Sequence, residues 1–246
     1  MSKELFDSIY KKKKDPFLPS ESLCQFFETK GKLWVDQIES KEKLSILELG
    51  CGDGTLFEKK SLTESESHFF DITGIDTSIT AIERAKERWS KKKKYFHNLN
   101  VKFLLKNILD EPKNKNFYDI ILDSHLFHCL LGKKEQLRAV KNIRMSLKKG
   151  GIFIMETMVS HKEMKFFRPF IFDKNTSLLF RENKRGNIFP IRTIFSSLEN
   201  ETLLLENFFD IKYFMVLPHL RIIPDEIRRE PLGGDPQCLR VICRKT

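Results

Sequence analysis

The chain has 246 residues, 40% hydrophobic and 32% charged, with 44 Lys and Arg against 34 Asp and Glu for a net charge of +10. That length suits one α/β domain with some added substrate-binding structure and is enough to bury a sizeable core. No run of about 18 apolar residues and no basic-then-apolar leader occurs, so neither a membrane span nor a secretory signal is expected, and a cytoplasmic protein is.

Residues 1–44 read as a helical arm. Ser45 to Leu49 is a short apolar strand that runs into Gly50-Cys-Gly-Asp-Gly54, and Thr55 to Lys60 starts a helix that breaks at Thr63–Ser67. Asp71 to Asp76 is a second strand ending in an acid. Ser78 to Trp89 carries Ile79, Ile82, Ala85 and Trp89 on one face with charges between, an amphipathic helix capped by Thr77 or Ser78. Asn100–Leu105 and the apolar run Phe117–Asp123 are further strands, the latter patterned for burial on both faces. Glu135–Leu147 is a helix stopped at Lys148-Lys-Gly-Gly151, and Ile152–Glu156 is the fifth strand. Strands alternating with helices over short links imply a doubly wound, mostly parallel sheet with right-handed crossovers. Thr202–Val216 reads as a helix end and a sixth strand, and Cys238–Cys243 as a last one. A Phe- and Arg-rich insertion (Phe166 to Phe189) and a long loop at Pro218–Gln237 follow strand ends, where they can cover a site.

Glycines at 50, 52 and 54 suit a turn where backbone approaches a ligand, and a following helix offers unpaired N–H groups. The acid Asp76, about twenty residues on, stands where a parallel sheet places an acceptor for ribose hydroxyls. The spacing is G-x-G-x-G after Glu48, not the G-x-G-x-x-G that cradles a pyrophosphate, so a cofactor without a diphosphate fits better. Ile46-Leu-Glu-Leu-Gly-Cys-Gly-Asp-Gly54 resembles the first motif of class I S-adenosylmethionine-dependent methyltransferases, and Gly74-Ile-Asp76 resembles their second-strand acid. Leu147-Lys-Lys-Gly-Gly-Ile-Phe-Ile-Met-Glu156 resembles the element before their fifth strand, with Lys149 where proline is usual.

The resemblance implies a Rossmann-like fold of seven strands with an antiparallel C-terminal hairpin and a lid insertion. It implies S-adenosylmethionine as cofactor. Glu48, Gly50, Cys51 and Gly52 would line its methionine and ribose part, Asp76 the ribose, Thr77, Asn107 and Ile108 the adenosine, and Asp123 the floor after the fourth strand. Asn107 stands where the family often has an acid. The arm Asp7-Ser-Ile-Tyr10…Pro16-Phe17 is similar to that of small-molecule, thiopurine-type relatives, which makes Tyr10 and Phe17 lid residues. Residues 1–246 are then one domain: arm 1–44, cofactor-binding half 45–157, and substrate-covering insertion with C-terminal strands 158–246.

His125 and His128, just after the fourth strand, are the candidate catalytic groups, since an imidazole takes a proton near neutral pH. No second ligand cluster accompanies them, so no metal is expected. The five scattered cysteines form no C-x-x-C pair and read as free thiols. The charge excess is local: residues 83–115 hold eleven basic residues against four acids. A small-molecule acceptor is the leading expectation. Methylation of RNA through this basic stretch and a non-catalytic cofactor-binding protein are the alternatives. No membrane partner is expected, and the sequence does not set the oligomeric state.

Overall fold

The computed structural model describes residues 3–12, 21–31, 33, 37–38, 43–58, 69–123, 125–204, 207–218 and 234–246. Its centre is a seven-stranded sheet of β1 (Lys43–Leu49), β2 (Phe69–Asp76), β3 (Leu99–Leu105), β4 (Tyr118–Asp123), β5 (Leu147–Val159), β9 (Asp210–Leu217) and β10 (Gln237–Arg244), in the order β3-β2-β1-β4-β5-β10-β9. The first five strands are parallel, and β10 runs antiparallel to both β5 and β9. Strand order reverses between β1 and β4, which opens a crevice beyond their C-terminal ends.

Period-two alternation along β1 divides the core: Leu44 and Ile46 pack with one apolar cluster, Leu47 and Leu49 with another on the opposite face. Helix α3 (Ile79–Lys92) covers the first cluster with Ile82, Ala85 and Trp89. Each large side chain buried this way contributes about 1.5–3 kcal/mol. Ser78 caps α3 by accepting the Ala81 N–H at 3.2 Å. Helix α4 (Gly132–Ser146) covers the second cluster through Ala139, Val140 and Ile143.

Two local expectations need correction. The glycines at 150 and 151 do not cap α4: the helix ends at Ser146, and Leu147, already extended, opens β5. The pairing of β4 with β5 skips from Leu147 to Ile152, so Lys148–Gly151 is an irregularity inside the strand; Lys148 reaches Asp119 at 2.7 Å and Gly150 sits at φ 76°. After Gly54 the chain forms a 3-10 turn at Leu56–Glu58, and residues 59–68 lie outside the described ones.

The Phe-rich insertion folds as an antiparallel sheet of β6 (Phe170–Asp173), β7 (Leu178–Glu182) and β8 (Ile188–Thr193). Met158 at the end of β5 packs beneath it with Met164, Leu179, Ile191 and Ile194. The N-terminal arm supplies α1 (Lys3–Lys12) and α2 (Glu21–Phe26), and α5 (Ser197–Leu204) precedes β9. Among the described residues no helix is long and apolar enough to cross a membrane.

Candidate active site

Gly50, Gly52 and Gly54 all have positive φ, 70°, 53° and 73°, so each takes a backbone conformation that side chains disfavour. The turn is clamped from two sides. Gly50 and Cys51 both donate N–H groups to the Ile75 carbonyl at 2.9 and 3.0 Å, and Trp89 Nε1 donates to the Gly54 carbonyl at 2.8 Å.

Asp76 closes the turn against α3. One carboxylate oxygen accepts the Gly52 N–H at 3.0 Å and the other the Ser78 N–H at 2.9 Å. Burial raises its pKa while these amides pull the other way. A carboxylate has about four acceptor positions, so capacity remains for a ligand hydroxyl. Glu48 is buried on β1 between Gly74 and Leu122. Cys51 is buried against Gly74, where an added Cβ would lie 2.8 Å from its own, and burial pushes its thiol well above the usual range.

Helix α1 lies over this turn. Asp7 Oδ1 accepts the Ser78 hydroxyl at 2.9 Å and the Thr80 N–H at 3.0 Å, which pins the arm to the start of α3. Tyr10 reaches the glycine turn, and a Cβ at Gly52 would collide with its hydroxyl. Burial first, then the Asp76 and Asp53 carboxylates, push the Tyr10 phenol above its usual range and keep it a neutral donor. Phe17 and Ser124 lie outside the described residues.

Farther along the crevice, Asn107 turns its amide oxygen to the Leu109 N–H at 3.0 Å, and Ile108 is buried with Leu47 and Ile75. Asn142 of α4 holds this loop through the carbonyls of Ile108 and Asp110 at 2.7 and 3.0 Å. Thr77 is half-buried between Asp76 and the α3 cap. Asp123, fully buried at the end of β4, accepts the Leu126 and Phe127 N–H groups at 3.0 Å each through Oδ1. Its Oδ2 is buried and has no hydrogen-bond partner among the described residues, and burial lifts this carboxyl to about 7.

The two histidines differ. His128 is 2% exposed, its Nδ1 lies 3.3 Å from the Thr157 hydroxyl, and burial drives its pKa well down, so it stays neutral. His125 keeps 30% of its side chain exposed and adopts φ 62°, unusual for a residue other than glycine. Its Nε2 is 2.7 Å from Oε1 of Glu156. Glu156 is 0% exposed, and its Oε2 accepts from Arg240 Nε at 2.8 Å, with the guanidinium 5.3 Å from the Phe26 ring centre. Sequence reasoning found the histidines but missed Glu156 and Arg240. The available signal was an acid closing an otherwise apolar strand. Among the described residues no group of His, Cys, Asp and Glu could hold a metal ion.

Comparison with known proteins follows the same lines. Residues 40–201 match the family described as a methyltransferase domain. A Methanosarcina mazei S-adenosylmethionine-dependent methyltransferase superposes with TM-score 0.66 at 21% identity, over 86% of this chain and 96% of that one. The CcbJ methyltransferase of Streptomyces caelestis gives TM-score 0.63 at 14% identity over 98% and 96%. A Clostridium acetobutylicum S-adenosylmethionine-dependent methyltransferase gives 0.61 at 14% identity over 98% and 96%. No curated protein matches. The chain belongs to the methyltransferase domain family, in the class I Rossmann-like fold, with S-adenosylmethionine as its expected cofactor.

Proposed function

We propose that the chain transfers a methyl group from S-adenosylmethionine to a small-molecule acceptor. The observation that carries this reading is the closure of α1 on the glycine turn, with Asp7 tied to Ser78 and Thr80 and Tyr10 against Gly52. A lid of this kind shields the crevice from water, and the insertion sheet narrows the approach over the ends of β4 and β5. That suits a compact acceptor better than a folded RNA. The basic stretch also supports it, because Arg88 and Lys92 pair with Glu58, Lys91 with Glu87 and Lys115 with Glu111, leaving fewer free cations for phosphates.

In this reading residues 1–246 act as one unit in a reducing, cytoplasmic setting, in keeping with free cysteines at 24, 51, 129, 238 and 243. Asp76 would hold the ribose hydroxyls, and Glu48 and the backbone of Gly50–Gly52 the sulfonium side. Thr77, Asn107 and Ile108 would border adenine, and the unpartnered Asp123 Oδ2 would accept from a ligand donor. The cofactor supplies a methyl group on a positively charged sulfur, a leaving group activated before it binds, so positioning can supply much of the rate. Glu156 holds the Nε2–H of His125, which leaves Nδ1 to take a proton from the acceptor. His128, neutral and buried, supports that turn from below.

Isothermal titration with S-adenosylhomocysteine should show saturable binding, and labelled methyl should move to a member of a small-metabolite panel. A folded sample that binds no S-adenosylhomocysteine would overturn the reading. Methylation of RNA alone, with a steep salt dependence, would replace it.

A further inference from the structure

We propose that Arg192 is the oxyanion-binding group of the acceptor subsite, so that the acceptor carries a carboxylate or a phosphate ester. This rests on the methyl-transfer reading above and names the class of acceptor. Strand β8 brings Arg192 onto the turn that follows β4. The adjacent Thr193 locks it there: its hydroxyl donates to the Leu130 carbonyl at 2.7 Å and accepts the Gly132 N–H at 2.8 Å. Arg192 Nη1 donates to Cys129 Sγ at 2.9 Å, a weak acceptor. Its Nε is buried and has no acceptor among the described residues.

Other arginines of this chain face carboxylates: Arg88 meets Glu58, Arg168 meets Glu182 and Arg240 meets Glu156. No carboxylate among the described residues pairs with Arg192. Asp123, whose charge reaches Cys129, is engaged by the Leu126 and Phe127 amides instead. Burial also keeps the neighbouring Cys129 thiol protonated, so it supplies no negative charge to offset the guanidinium. A half-buried cation without a counter-charge is costly unless something supplies one. This one meets the His125–Leu130 turn at Cys129, whose Sγ in turn reaches the His125 carbonyl at 3.5 Å, and its planar fork matches an oxyanion with two donors.

The test titrates the S-adenosylhomocysteine-loaded protein with benzoate, phenyl phosphate and neutral benzamide. One or both anions should bind at least tenfold more tightly than benzamide, and the tighter of the two identifies the oxyanion. Arg192→Gln should lower anion affinity to the benzamide level while S-adenosylhomocysteine affinity is unchanged. Anions that bind wild-type protein no better than benzamide, or equally well to Arg192→Gln, overturn the proposal. If Arg192→Gln does not fold, the wild-type comparison decides alone. Failure of wild-type protein to bind S-adenosylhomocysteine would instead sink the parent reading, so the two failures are distinguishable.

Discussion

Glu156 accepts the Nε2–H of His125 at 2.7 Å, joining the turn after β4 to the buried centre of β5. Its other oxygen engages Arg240, 84 residues away in sequence, so one carboxylate fixes an imidazole and a guanidinium together. Removing one member of a buried charged group leaves the others without partners, at about 3–5 kcal/mol. Glu156→Ala should lose that much stability in urea unfolding. Glu156→Gln, which keeps a hydrogen-bonding side chain, should lose less yet still lower kcat, with the S-adenosylhomocysteine Kd unchanged. His125→Ala should lower kcat by about 10²-fold, and adding Glu156→Gln to it should lower kcat no further, because the carboxylate acts through the ring. Additive losses would show that Glu156 serves the fold alone.

The glycines of the turn should fail in different ways. An Ala at 54 keeps φ near 73° and puts its Cβ 2.7 Å from Phe103 Cζ and 3.1 Å from the Ala85 methyl, both packed in the core. Left-handed strain of about 1–2 kcal/mol plus overpacking of about 1–3 predicts a stability loss of about 2–5 kcal/mol for Gly54→Ala in thermal unfolding. Gly52→Ala meets only the end of the Tyr10 side chain, which can swing away. Its stability loss should stay near the backbone strain, while affinity for S-adenosylhomocysteine falls more than tenfold. Equal effects of the two variants on stability and binding would contradict this division.

The glycine turn and the acid that closes on it were legible in the sequence because their signals are local. Gly50, Gly52 and Gly54 share one turn, and Asp76 closes the next strand, so spacing alone brings them together. The Glu156–Arg240 pair was not, since it reaches the His125 ring from strands tens of residues away, and the sequence marks it only by an acid that closes an apolar run. The insertion at 166–189 read only as a cover because Phe and Arg crowd it without strict alternation; its three strands gain order from packing on Met158 and Met164. Lys148–Gly151 misled for the opposite reason. A basic-Gly-Gly ending is a strong local stop signal, but pairing of Leu147 with Tyr118 claimed the segment for β5.

Asp7 should control how long the cofactor stays bound. Its carboxylate, held well below the usual range first by the Lys11 ion pair and then by the Thr80 and Ser78 hydrogen bonds, is the tie between α1 and α3. Asp7→Ala should free the arm while the sheet stays intact. Stopped-flow displacement of S-adenosylhomocysteine should then show dissociation several-fold faster, with little change in Tm. Tyr10→Ala should act in the same direction, and an unchanged dissociation rate in both variants would remove the arm from the binding site.

Asp123 predicts a stability slope with a defined sign. The carboxyl titrates near 3.8 in the unfolded chain and at about 7 when folded, because burial disfavours its ionised form. Between those values the native state holds a proton that the unfolded state has released, so this group makes the protein less stable as pH rises from about 4 to 7 and adds no further slope above that. The interval corresponds to a change on the order of 4 kcal/mol. Asp123→Asn keeps an oxygen for the Leu126 and Phe127 amides and has nothing to ionise, so the variant should gain on wild type across this window. Asp76 is also raised by burial, but it is present in both proteins and cancels in the difference. Urea midpoints at pH 5 and pH 8 measure the effect. Saturating S-adenosylhomocysteine should shrink the wild-type slope, since a ligand hydroxyl donating to Oδ2 favours the ionised form. A difference between variant and wild type that is flat with pH would mean that Asp123 is already ionised in the folded chain, and a slope indifferent to S-adenosylhomocysteine would mean that Oδ2 does not face it.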